Sequence, residues 1–490
     1  MKKPKTDDSQ QDRRIAVRVF DFLSARVRLA HVLIVVLYVF WVSAAMLRGG
    51  IVHPEACRYM MYHLSGPSLI HRVYDSKTLE GDITYQAREL SYVLDSVDSG
   101  FIDLSIRLGM PHFLSLTHYV SCFLIVIILW RFCTRQLSLD GLTSACLCLM
   151  LVTSPFVMFS GSYFRTGKVA VTLVLVLLFA MLYKASTSEH DLHPPRRRTL
   201  PYLAFFGLAL AGTMLERQGF FFLCLAALFL AARLISVRTR DSSVLLVICL
   251  AVLAVNTLYN HYLAPYLTFR LNGYWPSLGF QTMPWPKFWG RPWDYLKAGV
   301  VLLLDTTRFI CGYVPSVYAL AILVLLIWLF LATARWRVCQ RGDGFREIRA
   351  IPAVAAALFL IAMAALNVLM VLRHPPLYWP DVRRVYYWLP AAGMLLMLIS
   401  MAVATLAQSK LLPRILVQLV LILAVIGNVA AWDEHIFILR NGHLKPSYEN
   451  TPTLIESLRF MQQDPLYQPP PKVAQDTVYR FFAARMRGGR

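Results

Sequence analysis

The segment HPEACRYMMYHL, residues 53–64, places a carboxylate, a guanidinium and two histidines close to the end of the first long apolar stretch. A carboxylate that stands beside methionines at a membrane rim is partly desolvated, which makes it a better proton acceptor. We therefore predict that Glu55 acts as a general base. The residues predicted to orient it or to bind substrate are His53, Arg58 and Tyr59.

The same residues permit a simpler interpretation. Glu55 stands three positions before Arg58, so the two side chains can form a solvated ion pair on one face of a helix. If that is their role, the proton acceptor must be another acid of the same outer loop. The two reserves are Glu89 and Asp82.

Cations recur near the ends of apolar segments, in SYFRTGK, LERQG and DVRRVYYWLP. A single arginine near a helix end usually anchors the helix at the interface. Several cations that converge on one outer cavity could bind phosphate, because a guanidinium group can donate two parallel hydrogen bonds to two phosphate oxygens. The candidates are Arg165, Lys168, Arg217, Arg383 and Arg384. Glu216 could instead form a structural ion pair with its neighbour Arg217.

These residues must be positioned by a membrane domain. Hydrophobic residues make up 57% of the 490 positions, and the mean hydropathy is +0.53, far above a soluble domain. We predict an all-α polytopic membrane protein with about eleven transmembrane helices, since about 20 apolar residues cross a bilayer. The predicted spans are 29–47, 113–130, 141–159, 169–185, 200–214, 219–236, 243–260, 316–334, 351–372, 386–408 and 413–431.

Basic residues predict the orientation. The triplet RRR at 196–198 and five arginines between Arg335 and Arg349 place these connections on the cytoplasmic side. The predicted parts are a basic cytoplasmic N-terminus (1–28), a transmembrane bundle (29–431) with outer loops 48–112, 261–315 and 373–385, and an outer tail (432–490). Orientation also accounts for the net charge of +21, so no nucleic-acid partner is expected. No CxxC pair or Cys/His ligand set occurs, and we expect neither a metal nor a cofactor.

The first outer loop is predicted to contain an amphipathic helix on the membrane surface. The alternative is that this helix only caps the bundle. Its apolar positions are Leu90, Val93, Leu94, Val97 and Phe101, and Arg88, Tyr92, Asp95 and Ser99 lie opposite them.

In layout and in two short motifs, the sequence resembles the GT-C membrane glycosyltransferases. HPE at 53–55 resembles the His-Pro-Asp-Glu motif of the mannosyltransferase branch, and RRVYYWLP at 383–390 resembles the Arg-Tyr-x-x-Pro motif before a late helix. Glu55 stands where that family usually has Asp, and Ala56 replaces the second acid. Tyr386 takes the usual place of Arg, so the nearest arginine is Arg384.

The resemblance implies transfer of a sugar from a polyprenyl-phosphate carrier to a hydroxyl acceptor, with inversion, on the extracytoplasmic side. A carboxylate of the first loop would take the acceptor proton, while cations stabilise the departing lipid phosphate. The implied partners are the bilayer, the lipid-linked sugar and a glycan, lipid or protein acceptor.

Two other classes fit the layout. A secondary transporter or lipid-linked oligosaccharide flippase would carry ionisable residues near the bilayer midplane, and the predicted spans contain almost none. An O-antigen-type polymerase or ligase would place its large loop later in the chain. The sequence has no N-x-Ser/Thr acceptor site, which favours a bacterial inner membrane and a role in the cell envelope.

Overall fold

A computed structural model describes residues 54–79, 84–85, 87–108, 115–154, 157, 166–187, 199–236, 240–278, 292–293, 307–308, 310–312, 358–363, 389–409, 414–430, 480 and 484. Within these ranges the protein is helical apart from two short strands.

The part before the bundle contains four helices and one strand: α1 (Pro54–Ser65), α2 (Leu69–Val73), α3 (Ser76–Leu79), β1 (Thr84–Tyr85) and α4 (Glu89–Arg107). The first half of the bundle contains α5 (Leu116–Arg131), α6 (Gly141–Val152), α7 (Thr166–Thr187), α8 (Thr199–Leu215) and α9 (Arg217–Ser236). The remaining elements are α10 (Arg240–Leu258), α11 (Ala264–Asn272), β2 (Ser277–Leu278), α12 (Leu389–Ser409) and α13 (Arg414–Ala430). Single π-helical turns extend α5 over Phe132–Gln136 and join α10 to α11 over Tyr259–Leu263.

Five helical segments of the described chain are long and apolar enough to cross a membrane, and α6, α8 and α13 are shorter apolar helices. Eight of the eleven predicted spans overlap with these helices. The spans at 29–47 and 316–334, and most of 351–372, lie outside the described residues. The protein is therefore an integral membrane protein with a helical bundle, while the total of eleven spans stays a prediction.

One boundary differs from the sequence prediction. The span expected to end at residue 260 continues as one 33-residue apolar segment, Arg240–Asn272. At 1.5 Å per residue this segment is about 50 Å long, which exceeds the hydrocarbon thickness of about 30 Å. Its last turns therefore reach beyond the bilayer core toward the first outer loop.

Burial varies strongly between the helices. In α12, 94% of the spanning window is buried inside the bundle, whereas α10–α11 buries only 28% of its window. On α13, Leu416, Leu419 and Leu423 are exposed on one side. Such exposed leucines suit contact with lipid chains, so α12 is central and α13 is peripheral.

The helix predicted in the first outer loop is present as α4, and its polar side faces the protein. Tyr92, Asp95 and Asp98 are buried, whereas Val97 and Phe101 are 47% and 44% exposed. The polar side can be buried because neighbouring elements supply hydrogen-bond partners for its side chains. One example is Asp98, which accepts hydrogen bonds from the Ser115 hydroxyl (2.6 Å) and from the Thr117 backbone and hydroxyl (2.9 Å each). Contact of the apolar side with the membrane stays a prediction.

The first outer loop is fastened to the end of α11. The Leu271 carbonyl lies 2.9 Å from His71 Nδ1, and the Asn272 side-chain amide donates to the His71 carbonyl. The Tyr274 hydroxyl donates to Asp75 over 3.2 Å. Strands β1 and β2 pair in parallel, with Thr84 opposite Ser277. Two loops that are about 200 residues apart in sequence therefore form one outer layer.

Candidate active site

Three charged side chains meet at the junction between α8 and α9. Glu216 Oε2 lies 2.9 Å from Lys168 Nζ and 3.0 Å from Arg88 Nε. Glu216 and Lys168 are almost fully buried, and the Arg88 side chain is 14% exposed. Each residue comes from a different segment: the residue before α4, the first turn of α7 and the α8–α9 turn. We call Arg88, Lys168 and Glu216 the charge cluster.

The α8–α9 turn is held by two glycines. Glu216 is the single residue between the two helices, and its carbonyl accepts a hydrogen bond from Gly219 N–H (2.9 Å). A Cβ atom on Gly219 would collide with the carbonyl of Gly212. The absence of side chains at both positions thus lets α8 and α9 approach closely, which fixes Glu216 at the tip of the hairpin.

A second close contact brings α4 and α7 to the same hairpin. The Ser91 hydroxyl donates to the Leu215 carbonyl, the last residue of α8. A Cβ atom on Gly167 would collide with Ser91 Oγ and would lie 3.5 Å from Glu216 Oε1. Gly167 directly precedes Lys168. The close packing of α4 against α7 and α8 therefore brings Lys168 to the Glu216 carboxylate.

A second carboxylate lies beside the charge cluster. Glu89, the neighbour of Arg88, is buried, and its Oε1 accepts a hydrogen bond from the Tyr259 hydroxyl (3.3 Å). The Tyr259 and Tyr74 hydroxyls are 2.7 Å apart. Burial raises the pKa of Tyr74 and the negative charge of Glu89 raises it further, although the hydrogen bond with Tyr259 partly opposes the shift. Tyr74 is therefore a neutral phenol at pH 7. We call Tyr74, Tyr259 and Glu89 the tyrosine relay.

The two groups differ in what they can do chemically. Glu216 contacts two cations, and such contacts favour the ionised form of a carboxylate and make it a poor proton acceptor. Glu89 accepts from a neutral phenol, which leaves it better suited to take a proton. Counting one charge per group, the charge cluster has an excess of one positive charge, which stabilises negative charge close by, including that of Glu89.

Two residues predicted from the sequence belong to this site, and a third is next to it. Lys168 is in the charge cluster, and Glu89, the first reserve acid, is in the tyrosine relay. Arg217 follows Glu216 at the start of α9 and is half-buried. The structure pairs Glu216 with Lys168 and Arg88, two partners that the sequence did not suggest. The alternative ion pair of Glu216 with Arg217 stays a prediction.

The remaining candidates are not placed. Glu55, Arg58 and Tyr59 lie in helix α1, whose packing against α4 is described, although their side chains are not. The other candidates lie outside the described residues: His53, Asp82, Arg165, Arg383 and Arg384. Their roles, and the convergence of the outer arginines, stay predictions.

Four contributors to the site were not predicted: Tyr74, Arg88, Ser91 and Tyr259. Arg88 and Glu216 are 128 residues apart, and Tyr259 and Glu89 are 170 apart. Nothing local in the sequence signals such pairs. The available hint was the acid in LERQG between two apolar runs, because a carboxylate at a helix junction in a membrane protein needs a cation.

Among the described residues, no three His, Cys, Asp or Glu side chains are grouped closely enough to bind a metal ion. The expectation that the reaction needs neither metal nor cofactor remains a prediction.

No protein-family model matches the chain, and no curated protein matches it either. Among solved structures, the chain is similar to ArnT from Cupriavidus metallidurans, crystallised with undecaprenyl phosphate. The two are 12% identical over 77% of this chain and 78% of the other, with a TM-score of 0.32. A likeness of this size assigns neither a family nor an activity.

Proposed function

We propose that the protein is an integral-membrane glycosyltransferase that moves a sugar from a polyprenyl-phosphate carrier to a hydroxyl acceptor, with inversion, on the extracytoplasmic side. The observation that carries the proposal is the adjacency of the charge cluster to the tyrosine relay. Two cations and a suitably placed carboxylate are the groups that such a transfer requires. The GT-C resemblance of the sequence supports the same reaction.

The position of the charges favours this reaction over transport. In the membrane-crossing helices that the structure describes, every Lys, Arg, Asp and Glu lies in the first or last turn. A transporter commonly places ionisable groups near the midplane. A lipid phosphate lies at the membrane surface with its chain in the bilayer, so charges at helix ends suit a lipid-linked substrate.

In the proposed reaction, the acceptor hydroxyl oxygen attacks the anomeric carbon of the sugar. The bond from that carbon to the phosphate oxygen breaks, and polyprenyl phosphate leaves with the bonding electron pair. The proton of the hydroxyl passes to a carboxylate. Arg88 and Lys168 stabilise the charge on the departing phosphate, and Glu216 holds the two cations in position. Arg217, Arg384, Arg383 and Arg165 are proposed as further phosphate ligands.

Three acids are candidates for the base. Glu55 is our first proposal, because it lies in the motif that resembles the family. Glu89 is the second, because it is buried beside Arg88 and receives a hydrogen bond from Tyr259. Helix α1, which carries Glu55, packs against α4, which carries Glu89, so the two helices belong to one layer. Asp82 is the third candidate.

The test is sugar transfer by purified protein from a panel of short-chain polyprenyl-phosphate sugars. Glu55→Gln and Glu89→Gln keep the side-chain shape and remove the basicity. The variant that removes the base should lose about 10²- to 10⁴-fold in turnover. Asp103→Asn on α4 is the matched control, because Asp103 pairs with the exposed Arg107 over 2.8 Å. Absence of transfer from every donor would reject the proposed function.

Arg384→Lys tests the outer arginines separately. The substitution keeps the charge and removes the guanidinium geometry, so transfer should fall while insertion into the membrane persists. Unchanged donor binding and turnover would make Arg384 an interfacial anchor.

The proposed location is a bacterial inner membrane, with the N-terminus inside and the tail outside. A reporter fused after Arg490 should be active only on the extracytoplasmic side. Cytoplasmic activity would mean that the number of spans differs from eleven by an odd number.

A further inference from the structure

A second group of polar side chains lies where α1, α2 and α4 meet. His63, in the last turn of α1, is 4% exposed. Neither of its ring nitrogens has a hydrogen-bond partner among the described residues. Burial, together with the positive charge of Arg72, lowers the pKa of His63 to about 3. The ring is therefore neutral at pH 7, with one N–H donor and one nitrogen acceptor.

Arg72 of α2 completes the group. Its Nη2 donates to the Ser96 hydroxyl of α4 over 3.1 Å, while its Nε is buried and has no hydrogen-bond partner in the described structure. No described carboxylate forms an ion pair with Arg72. The guanidinium thus has a positive charge and a buried N–H group that the protein leaves without a partner.

Asp75, three residues after Arg72, is already engaged in other hydrogen bonds. Asp75 accepts hydrogen bonds from the Tyr62 hydroxyl (2.7 Å), the Thr78 backbone (3.1 Å) and the Tyr274 hydroxyl (3.2 Å). These contacts hold α1 and the end of α11 together, and they engage both oxygens of the Asp75 carboxylate.

Unpaired polar groups in a protein interior are costly. Each buried donor or acceptor without a partner costs about 1–3 kcal/mol, and such groups are rare in folded proteins. Here three of them, two on His63 and one on Arg72, are found in the same small region. An anion that accepts from Arg72 Nε and from the His63 N–H would remove the cost of both donors.

We propose that His63 and Arg72 form a binding site for a phosphate group. A phosphate group fits the two donors, because its oxygens accept from Arg72 Nε and from the imidazole N–H of His63. A carboxylate has fewer acceptor oxygens and a smaller negative charge, so it should bind this site more weakly. The site does not depend on the proposed function.

The site is separate from the charge cluster. Ser96, which holds Arg72, lies seven residues after Glu89 on α4, so the two are about 10 Å apart along the helix axis. Seven residues make almost two turns, which places Ser96 and Glu89 on the same side of α4. A molecule that bears phosphate and is bound at Arg72 would therefore lie next to the tyrosine relay.

The experiment is titration of the purified full-length protein in detergent at pH 7 with inorganic phosphate, at ionic strength matched with chloride. Calorimetry should show saturable binding, and acetate should bind more weakly. Arg72→Lys and His63→Gln should each weaken phosphate binding about tenfold. Arg107→Lys on α4 is the matched control and should bind as the parent does. Ser96→Ala, which removes only the anchor of Arg72, should weaken binding to a smaller extent.

Several results would overturn the proposal. One is the absence of saturable binding, and another is an unchanged affinity in folded Arg72→Lys and Ser96→Ala. Binding that is lost in Lys168→Met and kept in Arg72→Lys would assign the phosphate to the charge cluster. If binding is confirmed, competition by a short-chain polyprenyl phosphate would identify a lipid headgroup as the natural ligand. Lack of competition would identify a water-soluble phosphate.

Discussion

Lys168 Nζ lies 2.9 Å from Glu216 Oε2, and both side chains are almost fully buried. Arg88 contacts the same carboxylate oxygen. Substitution of Glu216 removes both of these ion pairs, whereas substitution of Lys168 removes one of them, so the residues should respond unequally.

The first prediction concerns this asymmetry. Glu216→Ala removes the carboxylate that pairs with both Arg88 and Lys168, and breaking a buried ion pair costs about 3–5 kcal/mol. Lys168→Met leaves Glu216 paired with Arg88, so its effect on stability should be smaller. The thermal unfolding midpoints in detergent should fall in the order parent, Lys168→Met, Glu216→Ala. Lys184→Met, at the exposed opposite end of α7, is the control. The reverse order would mean that Lys168, rather than Glu216, organises the cluster.

The second prediction concerns the hairpin that presents Glu216. Gly219→Ala places a methyl group against the Gly212 carbonyl, and overpacking of this kind costs about 1–3 kcal/mol or more. We expect a lower unfolding midpoint and lower transfer activity, because the turn must open. Gly207→Ala on α8 provides the contrast, since nothing lies within 4 Å of its added Cβ and alanine favours helix by about 1 kcal/mol. Equal tolerance of both substitutions would contradict the close packing of α8 on α9.

The sequence predicted the eight apolar helices of the bundle that the structure describes, because length and hydrophobicity largely decide whether a segment crosses a bilayer. It was also sufficient to predict that α4 is a helix. The site was predicted only in part, since Lys168 and Glu89 were among the candidates but their partners were not. Long-range contacts such as Arg88 to Glu216 depend on how helices pack. This contact also requires the close approach of Gly212 and Gly219. No periodic pattern in the sequence predicts that approach.

The extension of the α10–α11 segment to Asn272 shows a second limit. The prediction ended this span at residue 260 because an average hydrocarbon thickness had been crossed. The chain continues as a helix because its end packs against the first outer loop, where Leu271 and Asn272 bond with His71. Tertiary contacts thus determine where a helix ends outside the bilayer.

The third prediction concerns the pH dependence of stability. The pKa of His63 falls to about 3 in the folded protein, whereas an unfolded histidine titrates near 6.5. Between these values the unfolded chain binds the extra proton, so stability is complete above about pH 6.5 and declines as the pH falls toward 3. One such group contributes a slope of at most about 1.4 kcal/mol per pH unit.

The measurement is the unfolding midpoint from pH 7 to pH 4 in phosphate-free buffer. His63→Gln cannot take up the proton, so its midpoint should fall less steeply than that of the parent. His261→Gln, at an exposed position, should keep the parental slope. Parallel curves for the parent and His63→Gln would show that His63 is not buried in neutral form.

The last prediction concerns the tyrosine relay. Tyr259→Phe removes the hydroxyl that lies 2.7 Å from Tyr74 and donates to Glu89 over 3.3 Å, while the ring remains to fill the space. If Glu89 is the base, it loses a hydrogen bond that stabilises its charged form, so its pKa should rise. The acid limb of the pH profile of kcat should then move to higher pH, and turnover at pH 7 should fall. Tyr262→Phe, exposed on the same π-helical turn, should leave the pH profile unchanged.

If Glu55 is the base instead, Tyr259→Phe should change the rate without moving the acid limb of the pH profile, because Tyr259 would then act on structure alone. The pH profile therefore distinguishes the two carboxylates even when both Gln variants are inactive.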